Sequence, residues 1–222
     1  GMELFVAEAP GPTKDKIHPR IKETAKRLWI IYFSLTALET VILMLLGLSF
    51  FDAINHSLTT TSTGGFSTKQ ESIAAFQNPL VEAVIVIFMF LAGTNFTMIY
   101  FGLKMKFRKI VNNDEFKWYL SAVLILILLL SSYRTLTSTS DFMHSFREIS
   151  FQVVSIITTT GYATADYTLW GSFLTFIFFL FLFSGASAGS TSGGIKIVRI
   201  ILLIKNGLLE FKRRLHPKAV IP

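Results

Sequence analysis

The chain has 222 residues, of which 51% are hydrophobic and 22 are Phe, and its mean hydropathy of +0.54 is too high for a soluble domain of this length. It contains no cysteine, which excludes a disulfide framework and thiolate chemistry. The net charge is +7, but the basic residues flank apolar segments without interleaved exposed aromatic residues, which indicates membrane topology and not nucleic-acid binding.

The chain begins with a polar segment and then becomes apolar. Residues 1–27 are predicted to be a cytoplasmic segment, and because Gly1–Pro19 have no apolar core we expect no cleaved signal peptide. Leu28–Leu48 is 21 residues long, and about 20 residues cross a bilayer, so it is predicted to be a transmembrane helix. Glu39 interrupts it. A buried carboxylate is costly in a membrane, which makes Glu39 either a functional candidate or a hydrogen-bonding partner of a neighbouring helix.

Two further apolar segments are predicted to cross the membrane. Leu80–Leu103 is expected to be the second crossing, with Glu82 near its start and reaching water. Residues 104–117 are expected to be a cytoplasmic linker, because they are short and rich in Lys and Arg. Trp118–Tyr133 is predicted to be the third crossing, since aromatic and charged residues bound it at both ends.

The fourth apolar segment is interrupted. Leu169–Phe183 has only 15 residues, and apolar sequence resumes at Ile195–Leu209. The intervening residues 185–194 include four glycines and four hydroxyl residues, so helix propensity is low there. Irregular backbone at membrane depth survives only where it is buried in protein or lines a water-filled cavity. This pattern predicts a broken helix that faces a conduit.

Two polar stretches between the apolar segments are near copies, offset by 96 residues. Thr61–Thr68 and Ile157–Thr164 each combine threonines, a glycine and an aromatic residue. Threonine hydroxyls and closely spaced carbonyls can replace the hydration shell of an alkali cation, and glycine lets consecutive carbonyls point the same way. An internal repeat centred on such a sequence indicates a pore lining.

The segments before these copies complete a repeating unit. Phe51–Thr60 and Phe142–Ile156 are amphipathic enough to form helices that cross half of the membrane. The predicted fold is an all-α membrane protein with two repeats of transmembrane helix, re-entrant half-helix with filter loop, and transmembrane helix, the last helix being broken mid-membrane. The repeats span residues 28–103 and 118–209, and a basic cytoplasmic segment follows at 210–222.

Charge placement predicts the orientation. Of the 21 Lys and Arg residues, 18 lie in three groups, at Lys14–Arg27, Lys104–Lys117 and Lys196–Lys218, which the alternation of the spans places on one face. By the positive-inside tendency of multi-pass proteins, this face is predicted to be cytoplasmic. Both re-entrant loops then enter from outside. Asp52 and Glu148 are expected near the N-terminal ends of the half-helices, where the helix dipole favours an acid. The three remaining basic residues are Lys69, Arg134 and Arg147.

Taken together, these features resemble a known family. Thr158-Thr159-Thr160-Gly161-Tyr162 is similar to a cation-filter signature. The paired loops, the break at 185–194 and the N-terminal sequence Met2–Pro12 add to this similarity. With them, the chain resembles the membrane subunit of the Trk-type bacterial potassium uptake system, in the Trk/Ktr/HKT superfamily. The resemblance covers essentially the whole chain. Family members carry four span–loop–span repeats around a pseudo-fourfold pore, so it implies that this chain is a fragment containing the second and third repeats.

The resemblance also implies site residues and partners. The implied filter, which would bind K⁺, consists of Ser62, Thr63, Gly64, Gly65, Thr158, Thr159, Thr160, Gly161 and Tyr162. Within it, the implied K⁺ positions are at Thr63, Gly64, Thr159 and Thr160. The implied intramembrane gate loop consists of Gly185, Ala186, Ser187, Ala188, Gly189, Ser190, Thr191, Ser192, Gly193 and Gly194. A homodimer, a cytosolic nucleotide-binding regulatory subunit and a location in the bacterial inner membrane are implied as well. No covalently bound cofactor and no enzyme activity are expected.

Several single residues are expected to have structural roles. Phe66 and Tyr162 are expected to pack behind the filter. His56 is expected to have a polar packing role, because Gln152 occupies the equivalent position in the second copy. None of the histidines has the paired spacing of metal ligands, so no metal-ligand cluster is predicted.

Two other classes of function remain as alternatives. Gly185–Gly189 matches G-x-S-x-G, which allows an intramembrane serine protease with Ser187 as nucleophile. The hydrolase motif needs a strand before the serine, however, and here an apolar helix precedes it. A phosphate-binding loop is excluded because Lys196 follows Gly194-Ile195 without the required Gly-Lys-Ser/Thr sequence. The other alternative is a non-conducting scaffold or sensor. Its only support is that this chain is expected to lack two of the four repeats of a complete pore.

Overall fold

The computed structural model describes residues 21–138 and 141–215. Residues 1–20 and 216–222 lie outside the described residues. They include the N-terminal sequence Met2–Pro12 and the outer parts of both predicted terminal segments. The helices are α1 (Ile21–Leu45), α2 (Phe50–Thr61), α3 (Pro79–Ala92), α4 (Phe96–Leu103), α5 (Phe107–Val111), α6 (Asp114–Thr137), α7 (Phe142–Ile157), α8 (Ser172–Phe181) and α9 (Ile197–Leu215). Short 3₁₀ helices occur at Ser72–Phe76 and Tyr167–Trp170, and strands β1 (Ser184–Gly185) and β2 (Ile195–Lys196) pair in parallel.

Among the described residues, two helices are long and apolar enough to cross a bilayer, namely α1 from Ala25 onward and α6. The pair α3 and α4 makes a third candidate if it counts as one bent span. Several large apolar side chains on these helices are exposed, including Trp29, Phe33 and Leu129, as expected for surfaces that face lipid. The predominantly helical membrane architecture predicted from sequence is therefore present.

The second predicted crossing, Leu80–Leu103, consists of two helices and not of one. The chain turns by 108° between α3 and α4, at Gly93-Thr94-Asn95. Asn95 is the N-cap of α4, and its side-chain oxygen accepts from the Thr97 N–H at 2.8 Å. This cap satisfies a donor that a continuous helix would pair with a carbonyl, so a new helix can begin in a new direction.

The two half-helices end in register but begin differently. Their last residues, Thr61 and Ile157, are 96 positions apart, whereas α7 has 16 residues and α2 has 12, one turn more. Asp52 therefore lies in the first turn of α2, as predicted, but Glu148 lies well inside α7. The expected dipole role of Glu148 was wrong because the extra turn moves the helix end away from it.

Each of the three basic residues predicted on the outer face has an acidic partner. Lys69 lies 3.6 Å from Asp52, Arg134 pairs with Glu148, and Arg147 lies 3.3 Å from Glu82. Glu82 is only 7% exposed, so it does not reach water as expected. Its neighbour from α7 compensates its charge instead.

The core lies where the half-helices meet the spans. Leu43 of α1, Met89 of α3, Val123 of α6 and Phe151 of α7 are among its buried members. Burying α7 between α3, α6 and α8 fixes the position at which the chain leaves the half-helix. The core thus positions the loops that follow α2 and α7.

Candidate functional site

Two loops follow the half-helices directly and share one backbone conformation. We call residues 62–68 the first Thr-Gly loop and residues 158–164 the second Thr-Gly loop. Thr63 has a φ of 53° and Thr159, 96 positions later, has a φ of 57°. A positive φ is unfavourable for a β-branched residue and costs on the order of 1–3 kcal/mol. The same strain at equivalent positions indicates that both loops are held in this shape by their surroundings.

The sign of φ alternates along each loop. Gly65 and Gly161 also have positive φ values, 66° and 85°, whereas the residue before each of them does not. Alternation between left-handed and right-handed backbone turns successive carbonyls toward one side of the chain. The hydrogen-bond pattern repeats as well, since Gly64 donates to the Thr59 carbonyl at 2.8 Å and, in the second copy, the equivalent bond is also present.

The loops leave a set of carbonyl oxygens without a protein donor. Within residues 21–138 and 141–215, no N–H or O–H donates to the backbone carbonyls of Thr63, Gly64, Gly65, Thr159, Thr160 and Gly161. These six positions correspond to each other across the 96-residue offset. Backbone carbonyls at membrane depth need a polar partner, and a cation is one that they can coordinate.

Two threonine hydroxyls of the Thr-Gly loops contact a third segment. We call residues 185–194 the small-residue loop. Thr63 donates from its hydroxyl to the Thr191 carbonyl at 3.0 Å, and the Thr159 hydroxyl accepts from the Gly193 N–H at 2.6 Å. Each hydroxyl oxygen keeps at least one lone pair beyond these bonds.

The two Thr-Gly loops touch each other. A Cβ atom added to Gly65 would lie 1.8 Å from the carbonyl oxygen of Thr160, so only glycine fits there. The Tyr162 hydroxyl crosses back to α2, where it donates to the His56 carbonyl at 3.0 Å and lies 2.5 Å from the Thr59 hydroxyl. The first unit thus contacts the second through its glycine, and the second contacts the first through its tyrosine.

The equivalent residues on the outer sides of this contact face no neighbour in the described chain. Tyr162 is 1% exposed, as expected for a packing role, whereas Phe66 is 77% exposed within the described chain. A Cβ atom added to Gly161 would have no atom of the described residues within 4 Å. The aromatic side of the first unit, at Phe66, and the glycine side of the second unit, at Gly161, are therefore open.

The small-residue loop packs into the break of the second span. It is largely non-helical, and the Ser187 N–H donates to the Gly93 carbonyl at 3.0 Å. The Phe96 N–H donates to the Gly189 carbonyl at 3.1 Å. The two discontinuities of the chain satisfy each other's backbone groups, which is how both persist in an apolar environment.

Polar side chains tie the small-residue loop at its ends. Glu115, at the start of α6, accepts from the Ala188 N–H at 2.5 Å. The Thr191 hydroxyl donates to the Thr61 carbonyl at 2.9 Å, and the Lys196 ammonium donates to the Ser192 carbonyl. The loop therefore contacts the Thr-Gly loops through Thr191 and is bonded to the start of α6 through Ala188.

Sequence reasoning missed two members of this arrangement. The turn at Gly93-Thr94-Asn95 had a signal, because glycine followed by asparagine is a common helix end and cap. Glu115 had none, because it lies among charged residues and its partner is 73 positions away.

Glu39 is buried beside the first half-helix. It is 0% exposed, and neither carboxylate oxygen has a hydrogen-bond partner among the described residues. It lies near Thr60, whose hydroxyl donates to the His56 carbonyl instead. Thr60 belongs to α2, the helix next to Glu39 in this part of the fold.

The geometry does not assemble a serine nucleophile. Ser187 is 1% exposed, and no described histidine bonds to it. The ring nitrogens of His56 lie 2.7 Å from the Asp52 carbonyl and 2.9 Å from the Ser67 hydroxyl, which fits the polar packing role predicted for it. In the part of the chain that the structure describes, no group of His, Cys, Asp and Glu is arranged to hold a metal ion.

Comparison with known proteins identifies the family. The family model for TrkH, described as cation transport protein, matches residues 1–222. The chain belongs to the TrkH family. It is 38% identical over 223 residues to the Trk system potassium uptake protein TrkH of Halomonas elongata, a match that covers 100% of this chain and 46% of that protein. The TrkH of Escherichia coli K12 is 40% identical, over 99% of this chain and 46% of that protein.

A solved TrkH structure has the same fold. The crystal structure of the potassium transporter TrkH from Vibrio parahaemolyticus matches with a TM-score of 0.87 and 36% identity, over 98% of this chain and 47% of that chain. This chain therefore spans about half the length of the relatives it matches. Trk potassium transporters are not enzymes, so the resemblance and the expectation of no enzyme activity are confirmed, and the protease alternative is not favoured.

Proposed function

We propose that this chain supplies two span–loop–span units of a potassium-uptake pore in a bacterial inner membrane. The observation that carries the proposal is a set of six carbonyls at equivalent loop positions, from Thr63–Gly65 and Thr159–Gly161, to which no described residue donates a hydrogen bond. They would replace the hydration shell of K⁺ during facilitated diffusion. The names of the relatives, which are potassium uptake proteins, support K⁺ as the transported ion.

The half-helices add a favourable field. The C-terminal ends of α2 and α7 lead straight into the Thr-Gly loops, at Thr61 and Ile157. A helix carries about half a negative charge at its C-terminus, which stabilises a cation nearby. Both helix ends therefore support cation binding at the loops.

The open sides of the two units support a ring of more than two. Gly65 abuts the following unit and Tyr162 reaches the preceding one. By the same geometry, Phe66 would pack on a unit before the first and Gly161 would abut a unit after the second. Two further units, closing a pseudo-fourfold pore, would cover both surfaces. This chain would then be the second and third of four.

The small-residue loop would be the gate. It lies against Thr61, Thr63 and Thr159, at the inner end of the Thr-Gly loops. Its glycines and short side chains permit several backbone states of similar energy. Movement of the loop would open or close the path without altering the carbonyls that select the ion.

As part of a Trk-type system, the complete protein would act as a homodimer with a cytosolic nucleotide-binding regulatory subunit. The basic segments predicted to be cytoplasmic, residues 104–117 and 196–218, would face that partner. The helix that follows the gate begins in the second of these segments, which would allow the partner to act on the gate.

The function is tested by uptake in the complete transporter that contains this chain. Gly161→Ser should reduce growth of an uptake-deficient bacterium on limiting potassium, or weaken exclusion of sodium, because the backbone at φ 85° disfavours a side chain. Gly47→Ser is the matched control, since Gly47 has a φ of 96° and also meets no atom within 4 Å. Unchanged rescue and sodium exclusion by the Gly161 variant would remove these loops from the filter.

The gate is tested by Thr191→Val, which keeps the side-chain shape but loses the hydroxyl bonded to Thr61 and Ala92. A hydrogen bond contributes about 0.5–1.5 kcal/mol, so we expect potassium flux to rise roughly 2- to 10-fold with ion preference unchanged. Ser190→Ala is the control, because its hydroxyl bonds only within the loop. A changed potassium-to-sodium preference at constant flux would assign the loop to the filter.

A further inference from the structure

A cavity of about 580 Å³ opens on the side of the protein that is predicted to face the cytoplasm, away from the Thr-Gly loops. Its walls come from α4, α5, the start of α6 and the first half of α9. Cavities of this size are typical of sites for small organic molecules. The proposed ion path does not use this one.

One side of the cavity is basic. Arg108, Lys109 and Lys205 line it, and none of them has a carboxylate within 4.0 Å among the described residues. The Lys109 ammonium lies 4.6 Å from the centre of the Phe101 ring, which holds it at the cavity wall. Three cations without acidic partners at one opening favour an anionic ligand.

The acidic residues of the wall are already engaged. Asp114 lies 3.6 Å from Lys117, and Glu115 accepts the Ala188 N–H. Neither is paired with a cation of the basic side. The charge that the cavity presents to a ligand is therefore positive.

The other side of the cavity is apolar. Met98, Val198, Ile201 and Leu202 contribute aliphatic surface, and Trp118 is 53% exposed at the rim. A half-exposed tryptophan one turn from the start of a membrane helix is typical of the interface between lipid and water. A free phosphate would use the cations and leave this apolar wall in contact with water.

We propose that this cavity binds an anionic phospholipid of the inner leaflet. The phosphate would lie among Arg108, Lys109 and Lys205, and an acyl chain would follow the wall at Val198 and Ile201. Basic pockets between membrane helices on the cytoplasmic side bind anionic headgroups for this reason. The match of both charge and apolar surface distinguishes a lipid from a soluble anion.

A bound lipid would also act on the small-residue loop. Val198 lies at the start of α9, directly after that loop, and Glu115 connects the cavity wall to Ala188. Occupancy would hold α9 against α6 and thereby restrain the loop. This regulatory step rests on the proposed function, whereas the binding itself does not.

The binding test uses the complete transporter, purified in a neutral detergent and examined by native mass spectrometry with phosphatidylglycerol or phosphatidylcholine. The test variant combines Arg108→Gln, Lys109→Gln and Lys205→Gln. Each basic residue near an anionic headgroup contributes about 1 kcal/mol, so retention of phosphatidylglycerol should fall on the order of 100-fold. The control variant removes the same charge further along α9, at Lys212, Arg213 and Arg214, and should retain the lipid.

A second variant separates the acyl contact from the charge. Ile201→Trp fills the apolar side and leaves the three cations in place, so retention of phosphatidylglycerol should fall. In a separate experiment on the unmodified protein, glycerol phosphate at millimolar concentration should fail to displace the lipid. Equal retention by the test and control variants would overturn the proposal. Displacement by glycerol phosphate would assign the site to a soluble phosphate, and loss of a cytosolic protein partner with lipid retained would assign it to that partner. Lipid retention is read without ion flux, so failure of the transport proposal leaves the result interpretable.

Discussion

The first and second Thr-Gly loops have the same backbone and different surroundings. Thr63 and Thr159 share the strained positive φ, and in both copies no described residue donates to the carbonyls around them. The side chains beside the loops differ, because Tyr162 is buried against α2 whereas Phe66 is exposed. The backbone conformation is therefore what repeats, and the side-chain environment differs between the two copies.

The acidic residues of the two units differ in the same way. Asp52 pairs with Lys69, whose side chain is 44% exposed, whereas Glu148 pairs with Arg134 at a site where the arginine is 9% exposed. Arg134 also stacks over the Trp170 ring at 4.0 Å. The second unit is thus braced by a buried pair, and the first by a pair in contact with water.

The largest effect is expected from the filter glycines. Gly65→Ala would place a Cβ atom 1.8 Å from the Thr160 carbonyl oxygen, so the backbone must shift, and potassium uptake by the complete transporter should fall on the order of 100-fold. Gly161→Ala should lose as much if a following unit closes on it. Rubidium uptake, normalised to the amount of protein in the membrane, is the measurement. A much milder defect at Gly161 would break the proposed ring.

A smaller effect is expected from the acid partners. Arg134→Gln would leave Glu148 with only His144, 3.7 Å away, as a basic neighbour at a poorly solvated site. The variant should cost about 3 kcal/mol of stability, with recovery in the double variant that adds Glu148→Gln. Lys69→Gln should cost less than about 1 kcal/mol, because water screens the Asp52 pair. Thermal unfolding of the detergent-solubilised transporter measures both. Similar losses for the two variants would show that the second unit is not braced more strongly.

The smallest effect is expected from the tyrosine hydroxyl. Tyr162→Phe makes the second loop resemble the first and removes the bonds to His56 and Thr59, which should cost about 1 kcal/mol and loosen potassium discrimination a few-fold. Tyr133→Phe is the control, because the Tyr133 hydroxyl has no hydrogen bond among the described residues. Competition of sodium with rubidium uptake gives the readout. Identical behaviour of the two variants would mean that the hydroxyl does not support the loop.

Local sequence signals predicted the half-helices and the loops well. The C-terminal ends expected at Thr60 and Ile156 lie at Thr61 and Ile157, because a threonine run with glycine ends a helix in either copy. Low helix propensity likewise predicted the irregular segment at 185–194. These features depend on residues that are neighbours in sequence.

Features that depend on distant neighbours were not predictable. By hydropathy, Leu80–Leu103 is one unbroken apolar segment. Two backbone groups at the turn within it, the Gly93 carbonyl and the Phe96 N–H, are bonded to the small-residue loop, which lies far away in sequence. The exposure of Phe66 depends on which unit lies beside it. The pairing of Glu82 with Arg147 joins α3 to α7, which no local pattern indicates.

The bond between Thr63 and Thr191 has a consequence for biosynthesis. It joins residues 128 positions apart, and the contacts of Tyr162 with α2 span more than 100. Because the chain is synthesised from its N-terminus, nearly all of its helices must be inserted before these contacts can form. Long-range contacts of this kind form late in folding. We therefore expect the carbonyls to become aligned only after the small-residue loop has been inserted beneath them. In the proposed pore, a partly synthesised chain would therefore lack the aligned carbonyls of an ion path.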